Sequence, residues 1–151
     1  MMEELRDLYQ QVILDHNKSP KNYKKLEPAS HTSEGYNPLC GDRINLYLLV
    51  EDDIIKDIGF QGSGCAISKA SASVMTTLVK GKSVAEAEQL FKKFQNLITS
   101  KKDSGFDLTE LGKLAVFAGV REFPVRVKCA ALAWHTMLAA FKNKNKVVST
   151  E

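Results

Sequence analysis

The sequence predicts an α+β fold, in which a short run of strands is followed by a run of helices instead of alternating with them. Three observations carry this. Residues 30–61 hold segments of two-residue apolar periodicity, residues 3–17 and 66–143 recur at helical spacing, and a three-residue turn separates the two clearest strands, which favours antiparallel pairing. With 151 residues, 44% of them hydrophobic, the chain can bury one core and reads as a single domain over residues 1–151.

The opening helix runs from about Glu3 to Asn17, where Leu5, Leu8, Tyr9, Val12 and His16 recur at helical spacing until Pro20 stops it. A polar linker leads to a first strand near Ser30 to Tyr36. Ile44, Leu46, Leu48 and Val50 then share one side of a strand over 44–51, and Ile54, Ile58 and Phe60 share one side of a strand over 54–61. Glu51-Asp52-Asp53 joins these two as a hairpin. Four helical segments follow: Ala66 to Val79 closed by Gly81, Ser83 to Thr99 opened by a Ser83/Glu86 capping box, Leu108 to Arg121, and about Val125 to Asn143. The apolar stripe Val84, Ala87, Phe91, Phe94 and Ile98 is core-facing. Residues 144–151 have no periodicity and are expected to form a disordered tail.

Composition excludes several classes of function. No apolar stretch is long enough to span a bilayer, and the acidic, amphipathic Met1-Met2-Glu3-Glu4-Leu5-Arg6 is unlike a secretory signal, so a cytoplasmic location without membrane association is expected. The net charge of +3 is mild and its lysines are scattered along solvated faces, which gives no nucleic-acid reading. Gly62-Ser63-Gly64 lacks the lysine of a phosphate loop. His16, His31 and His135 have no ligand spacing to any cysteine, and no Ser-His-Asp or Cys-His-Asn constellation is present.

Three widely spaced cysteines fit a reducing compartment with metal-binding or catalytic thiols better than a disulfide framework. Each alone reads as a small buried hydrophobe. Their surroundings change that: Cys40 precedes Gly41 and Asp42 in a turn, and Cys65 follows Gly62-Ser63-Gly64, glycines that permit close backbone approach. Ala130, Ala131, Leu132 and Trp134 around Cys129 would equally suit a purely structural thiol. Because a hairpin returns to its starting end, Cys40 before it and Cys65 after it come together across 25 positions. With Asp42 and Cys129 they offer a tetrahedral site of three thiolates and a carboxylate, suited to zinc or iron. Cys65 and Cys129 are expected to open helices, where the dipole and the cations Arg126 and Lys128 favour thiolate. Arg126 thus supports a thiolate or contacts an acidic partner, or is a solvated charge.

Asn37-Pro38-Leu39-Cys40-Gly41-Asp42, Gly62-Ser63-Gly64-Cys65-Ala66-Ile67-Ser68 and Val127-Lys128-Cys129 resemble the U-type iron-sulfur assembly proteins, the SufU/IscU/NifU-like family, over nearly the whole chain. The end of the first helix, Val12 to Pro20, is similar as well. The resemblance implies a three-stranded antiparallel sheet packed against about five helices, with Cys40, Asp42, Cys65 and Cys129 as the metal site. It implies a pyridoxal-phosphate cysteine desulfurase, SufS-like, as partner, and a downstream Suf cluster scaffold as recipient of sulfur.

Two departures from the scaffold members point to the SufU type. Lys128 stands where the scaffold carries a histidine, and Phe123-Pro124-Val125-Arg126-Val127-Lys128 breaks the scaffold's Leu-Pro-Pro-Val-Lys motif for a dedicated Hsp70 chaperone. The interval of 64 positions between Cys65 and Cys129 is longer than in the scaffold, with a segment around Phe94 to Gly112 resembling a SufU-type insertion. The resemblance therefore implies a zinc-dependent sulfur acceptor, in which Cys40 leaves the metal as a partner histidine replaces it and takes persulfide sulfur from the desulfurase. The alternatives are a scaffold assembling a [2Fe-2S] cluster on the same ligands and a zinc domain whose metal only stabilises the fold.

Overall fold

The computed structural model describes residues 2–100, 112–142 and 146–149. Helix α1 (Met2–Lys18) precedes strands β1 (His31–Asn37), β2 (Asp42–Glu51) and β3 (Ile54–Ser63). Helices α2 (Ala66–Val79) and α3 (Val84–Thr99), a 3-10 helix (Gly112–Glu122), helix α4 (Pro124–Lys142) and strand β4 (Lys146–Ser149) complete the order. No helix of the described residues is long and apolar enough to cross a membrane.

The expected antiparallel sheet forms, with β2 in register against β1 (Asn37↔Asp42 through His31↔Leu48) and against β3 (Arg43↔Ser63 through Glu51↔Ile54). Asp52 and Asp53 turn the second hairpin with φ of 53° and 62°, the left-handed pair that a two-residue hairpin turn of matching twist requires. Ile44, Leu46, Leu48, Ile58 and Phe60 point inward and are buried, as their alternation predicted, whereas Val50 and Ile54, expected on the same faces, are only partly buried, because a register shift between Leu49 and Val50 turns Ile55 inward in place of Ile54.

Two expectations about the end of the chain are corrected. Lys146–Ser149 are not a frayed tail but a fourth strand, pairing parallel to β1 and making the sheet order β3-β2-β1-β4. A four-residue edge strand needs only main-chain pairing, so it leaves no apolar period to read. The segment expected as an α-helix from Leu108 to Arg121 is a 3-10 helix from Gly112 to Glu122; its first four expected residues, and most of the insertion expected around Phe94 to Gly112, lie outside the described residues.

Helix α2 fills the centre. Nine of its residues are buried, among them Ser68, Ser71, Ser73 and Thr76. Small residues let α1 and α4 approach closely, and hydroxyls bridge the gap: Ser71 Oγ donates to Ala130 O at 2.6 Å and accepts from Trp134 Nε1 at 3.2 Å. Trp134 stacks on Phe94 with ring centroids 4.8 Å apart, and Phe94 meets Phe117 edge-on at 5.6 Å. Ser83 caps α3 with the reciprocal Ser83/Glu86 box that the sequence predicted.

Candidate metal centre

The sheet register places the site. Pairing of Asn37 with Asp42 closes the turn Pro38–Gly41 that carries Cys40, and pairing of Arg43 with Ser63 brings the end of β3, and with it Cys65, to the same edge. Gly41 makes the first turn with φ +71°. Gly64 makes the second step with φ +143°, and a Cβ there would lie 2.8 Å from Asp42 Cα and collide with its carboxylate. Only glycine permits both the backbone conformation and the approach.

Asp42 is fully buried. Its Oδ1 accepts from the Cys65 N–H at 2.8 Å, and its Oδ2 accepts from Asn37 Nδ2 at 3.3 Å and lies 3.9 Å from Cys65 Sγ. Cys65 is the N-cap of α2, with its sulfur accepting from Ser68 N–H at 3.4 Å, the placement expected from sequence. Cys129 Sγ, also fully buried, lies 3.1 Å from Cys40 Sγ, 3.5 Å from Asn37 Nδ2 and 3.6 Å from Val125 O. One ligand atom each from Cys40, Asp42 and Cys129 falls within a mutual 4.8 Å. Cys65 joins this set through Asp42.

The expected place of Cys129 at a helix N-terminus is corrected. Helix α4 opens at Pro124, which sets Cys129 in the second turn, beyond the free N–H groups that give a helix end its positive potential. Burial, followed by contacts with Cys40, Asp42 and Cys65, pushes the Cys129 thiol well above its ordinary range. Arg126 does face the sulfurs: charge on Cys65 first, then contact with Cys129 and charge on Cys129 and Cys40, hold its guanidinium even more firmly protonated. It is exposed, so it stands at the mouth of the site and not within it.

The histidines lie elsewhere, as expected. His135 packs edge-on against Phe91 at 5.2 Å, and burial lowers its pKa. His31 Nδ1 is paired with Ser30 Oγ at 2.8 Å. His16, near the end of α1, has Nδ1 2.7 Å from Ser73 Oγ, which also accepts from Lys21 N–H.

Sequence reading gave Asn37 no role, yet it is fully buried, bonds two candidate ligands, and accepts from Leu39 N–H at 3.3 Å. An asparagine before a proline-led turn reads as turn chemistry, and only the register reveals that it faces inward. Three thiols and a carboxylate, two of the four fully buried, cannot all ionise together without a cation. This donor set fits zinc, whose binding displaces the thiol protons.

Residues 8–145 match the family of the NifU-like N terminal domain. The chain belongs to that family. The zinc-dependent sulfurtransferase SufU of Bacillus subtilis (strain 168) is 42% identical over 133 residues, 88% of each chain. The iron-sulfur cluster assembly scaffold protein IscU of Thermotoga maritima is 39% identical over 135 residues, covering 89% of this chain and 93% of that one. The crystal structure of FiSufU from Fervidobacterium islandicum AW-1, described as a scaffold protein for the SUF system, superposes with a TM-score of 0.79 at 40% identity, covering 86% of this chain and 93% of that chain.

Proposed function

We propose that this protein of iron-sulfur cluster assembly is a zinc-dependent sulfur acceptor, loaded by a pyridoxal-phosphate cysteine desulfurase. The observation that carries the reading is the unequal setting of its thiols. Cys129 is fully buried; Cys65 and Cys40 are both partly exposed, but Cys65 is held as a helix cap whereas Cys40 sits on a four-residue turn beside Leu39, which is 62% exposed. Similarity to the Bacillus sulfurtransferase supports it.

Cys40, Asp42, Cys65 and Cys129 would hold the zinc, which when bound keeps the sulfurs deprotonated and is itself redox-inert. The Cys40 thiolate attacks the outer sulfur of the desulfurase persulfide; the new S–S bond forms on Cys40, and the desulfurase cysteine departs as thiolate. Arg126 at the mouth stabilises the anionic sulfur and meets acidic groups of the partner. Leu39, Phe123 and Val125, all more than half exposed on the segments that carry Cys40 and Arg126, supply apolar contact area for docking. The sulfur then passes to a downstream Suf cluster scaffold, and a reducing cytoplasm keeps the acceptor thiol available.

The test is incubation with a cysteine desulfurase and L-cysteine, with mass spectrometry of the intact chain. The wild type is expected to gain one sulfur on Cys40, and Cys40→Ser to gain none while binding its partner. Undiminished loading of Cys40→Ser would sink the assignment. A second reading, assembly of a [2Fe-2S] cluster on the same four residues, is supported by the scaffold names of the Thermotoga and Fervidobacterium relatives. Iron with acid-labile sulfide and little zinc in the mildly purified protein would select it.

A further inference from the structure

Helix α2 buries four hydroxyl residues, Ser68, Ser71, Ser73 and Thr76. Ser71 is bonded to Ala130 and Trp134, Ser73 to His16 and Lys21, and Thr76 to Ser73 O and Asn22. Ser68, only 1% exposed, has an Oγ with no hydrogen-bond partner among the described residues. A buried hydroxyl left unpaired is desolvated without return and calls for an explanation. Among the described residues one other buried side-chain atom is unpaired, Gln95 Oε1, which belongs to α3 and not to the site.

Ser68 is the third residue of α2, one turn from the cap, and its own N–H already reaches Cys65 Sγ. In a helix, positions three apart lie on one face, so Ser68 shares a face with both Cys65 and Ser71, and Ser71 marks that face as the one turned to α4. Its hydroxyl therefore belongs to the residue whose N–H already meets the Cys65 sulfur, on the helix face that carries that sulfur. A neutral thiol makes little demand on a second donor. A metal-bound thiolate does, because hydrogen bonds to a ligand sulfur set its basicity and orientation.

We propose that Ser68 is a positioning residue whose hydroxyl is reserved for the charged Cys65 sulfur, giving it a second hydrogen bond beside the Ser68 N–H once the site is loaded. Cys65 is thereby the anchored ligand, and Cys40, on its turn, the one free to leave. The inference rests on the metal site of the function proposed above.

The experiment compares wild type, Ser68→Ala and Ser68→Thr in three measurements: thermal unfolding of the metal-free chain, zinc affinity by chelator competition, and the sulfur-to-metal charge-transfer band of the cobalt-substituted protein. Ser68→Ala is expected to unfold no earlier than wild type when metal-free, to bind zinc about tenfold more weakly, and to shift the cobalt band; Ser68→Thr, keeping the hydroxyl, retains the wild-type band. Unchanged zinc affinity and an unchanged cobalt band in Ser68→Ala would overturn the proposal, since removal of an idle hydroxyl moves neither. Persulfide loading of Cys40 is read in parallel on the wild type. Its absence would reject sulfur transfer while leaving the zinc and cobalt comparison intact.

Discussion

Helices α2 and α4 meet twice, and the two meetings have opposite chemistry. In the middle, Ser71, Ala130 and Trp134 form a closed set of hydrogen bonds under the Phe94 ring, with every polar atom named partnered and every side chain buried. At the N-terminal end, Cys65 and Cys129 crowd against Cys40 and Asp42, Cys129 holds its proton through burial, and Ser68 keeps an unpaired hydroxyl. The middle is complete as it stands, whereas the end gathers thiols and a carboxylate that cannot all be charged together without a cation. Packing and the candidate metal centre thus occupy successive stretches of the same two helices.

The separation is broken most strongly at Trp134. Trp134→Ala removes the ring stacked on Phe94 and the donor to Ser71, and is expected to cost about 3–5 kcal/mol in urea unfolding, with or without zinc. A loss below about 1 kcal/mol would mean that the middle is not what anchors the fold.

Gly64→Ala acts at the other end. Its φ of +143° and the adjacent Asp42 leave no room for a Cβ, so a destabilisation of about 1–3 kcal/mol is expected together with displacement of the carboxylate. Zinc affinity should fall although the urea transition remains cooperative. Full zinc affinity in this variant would show that Asp42 is not held against Cys65 by the glycine.

The smallest effect concerns His16, a single half-exposed ring that ties α1 to α2 through Ser73. Burial first, then the charges of Lys113 and Lys21, lower its pKa against a raising contribution from Asp15. The folded chain thus prefers neutral His16, whereas the unfolded chain takes up a proton as pH falls through the ordinary value of 6.5. This contribution to stability is full above 6.5 and is lost below it, towards the lower folded-state value. His135, lowered by burial, has the same sign. Urea midpoints on either side of pH 6.5 should fall on the acid side, less steeply in His16→Gln. A variant with the wild-type pH slope would remove His16 from this account.

The strands were legible because one face is buried and the other is not: Ile44, Leu46 and Leu48 alternate with half-buried neighbours. The helix starts at Ser83 and Cys65 were legible for a different reason, since a capping side chain is chosen by backbone groups within three residues of it. The start of α4 near Val125 was legible to within one residue, since proline favours the first helical position; Cys129, five residues beyond Pro124, was nevertheless read as opening the helix, although the free N–H groups end within the first turn. Strand β4 was illegible because its pairing is between main chains.

By itself the sequence determined the hairpin, and with it the meeting of Cys40 and Cys65, because period-two burial on either side of the Glu51-Asp52-Asp53 turn sets which face is hidden, whereas the register shift between Leu49 and Val50 was decided by the fold. Tertiary structure alone decided the setting of each candidate ligand. Packing of α4 across the sheet buried Cys129 beyond the helix end, the Asn37↔Asp42 pairing turned an ordinary turn asparagine into a bond to two candidate ligands, and Ser68 on α2 was left unpaired beside them. Burial and hydrogen-bond partnership depend on groups distant in sequence, and these are what set the charge a side chain can carry.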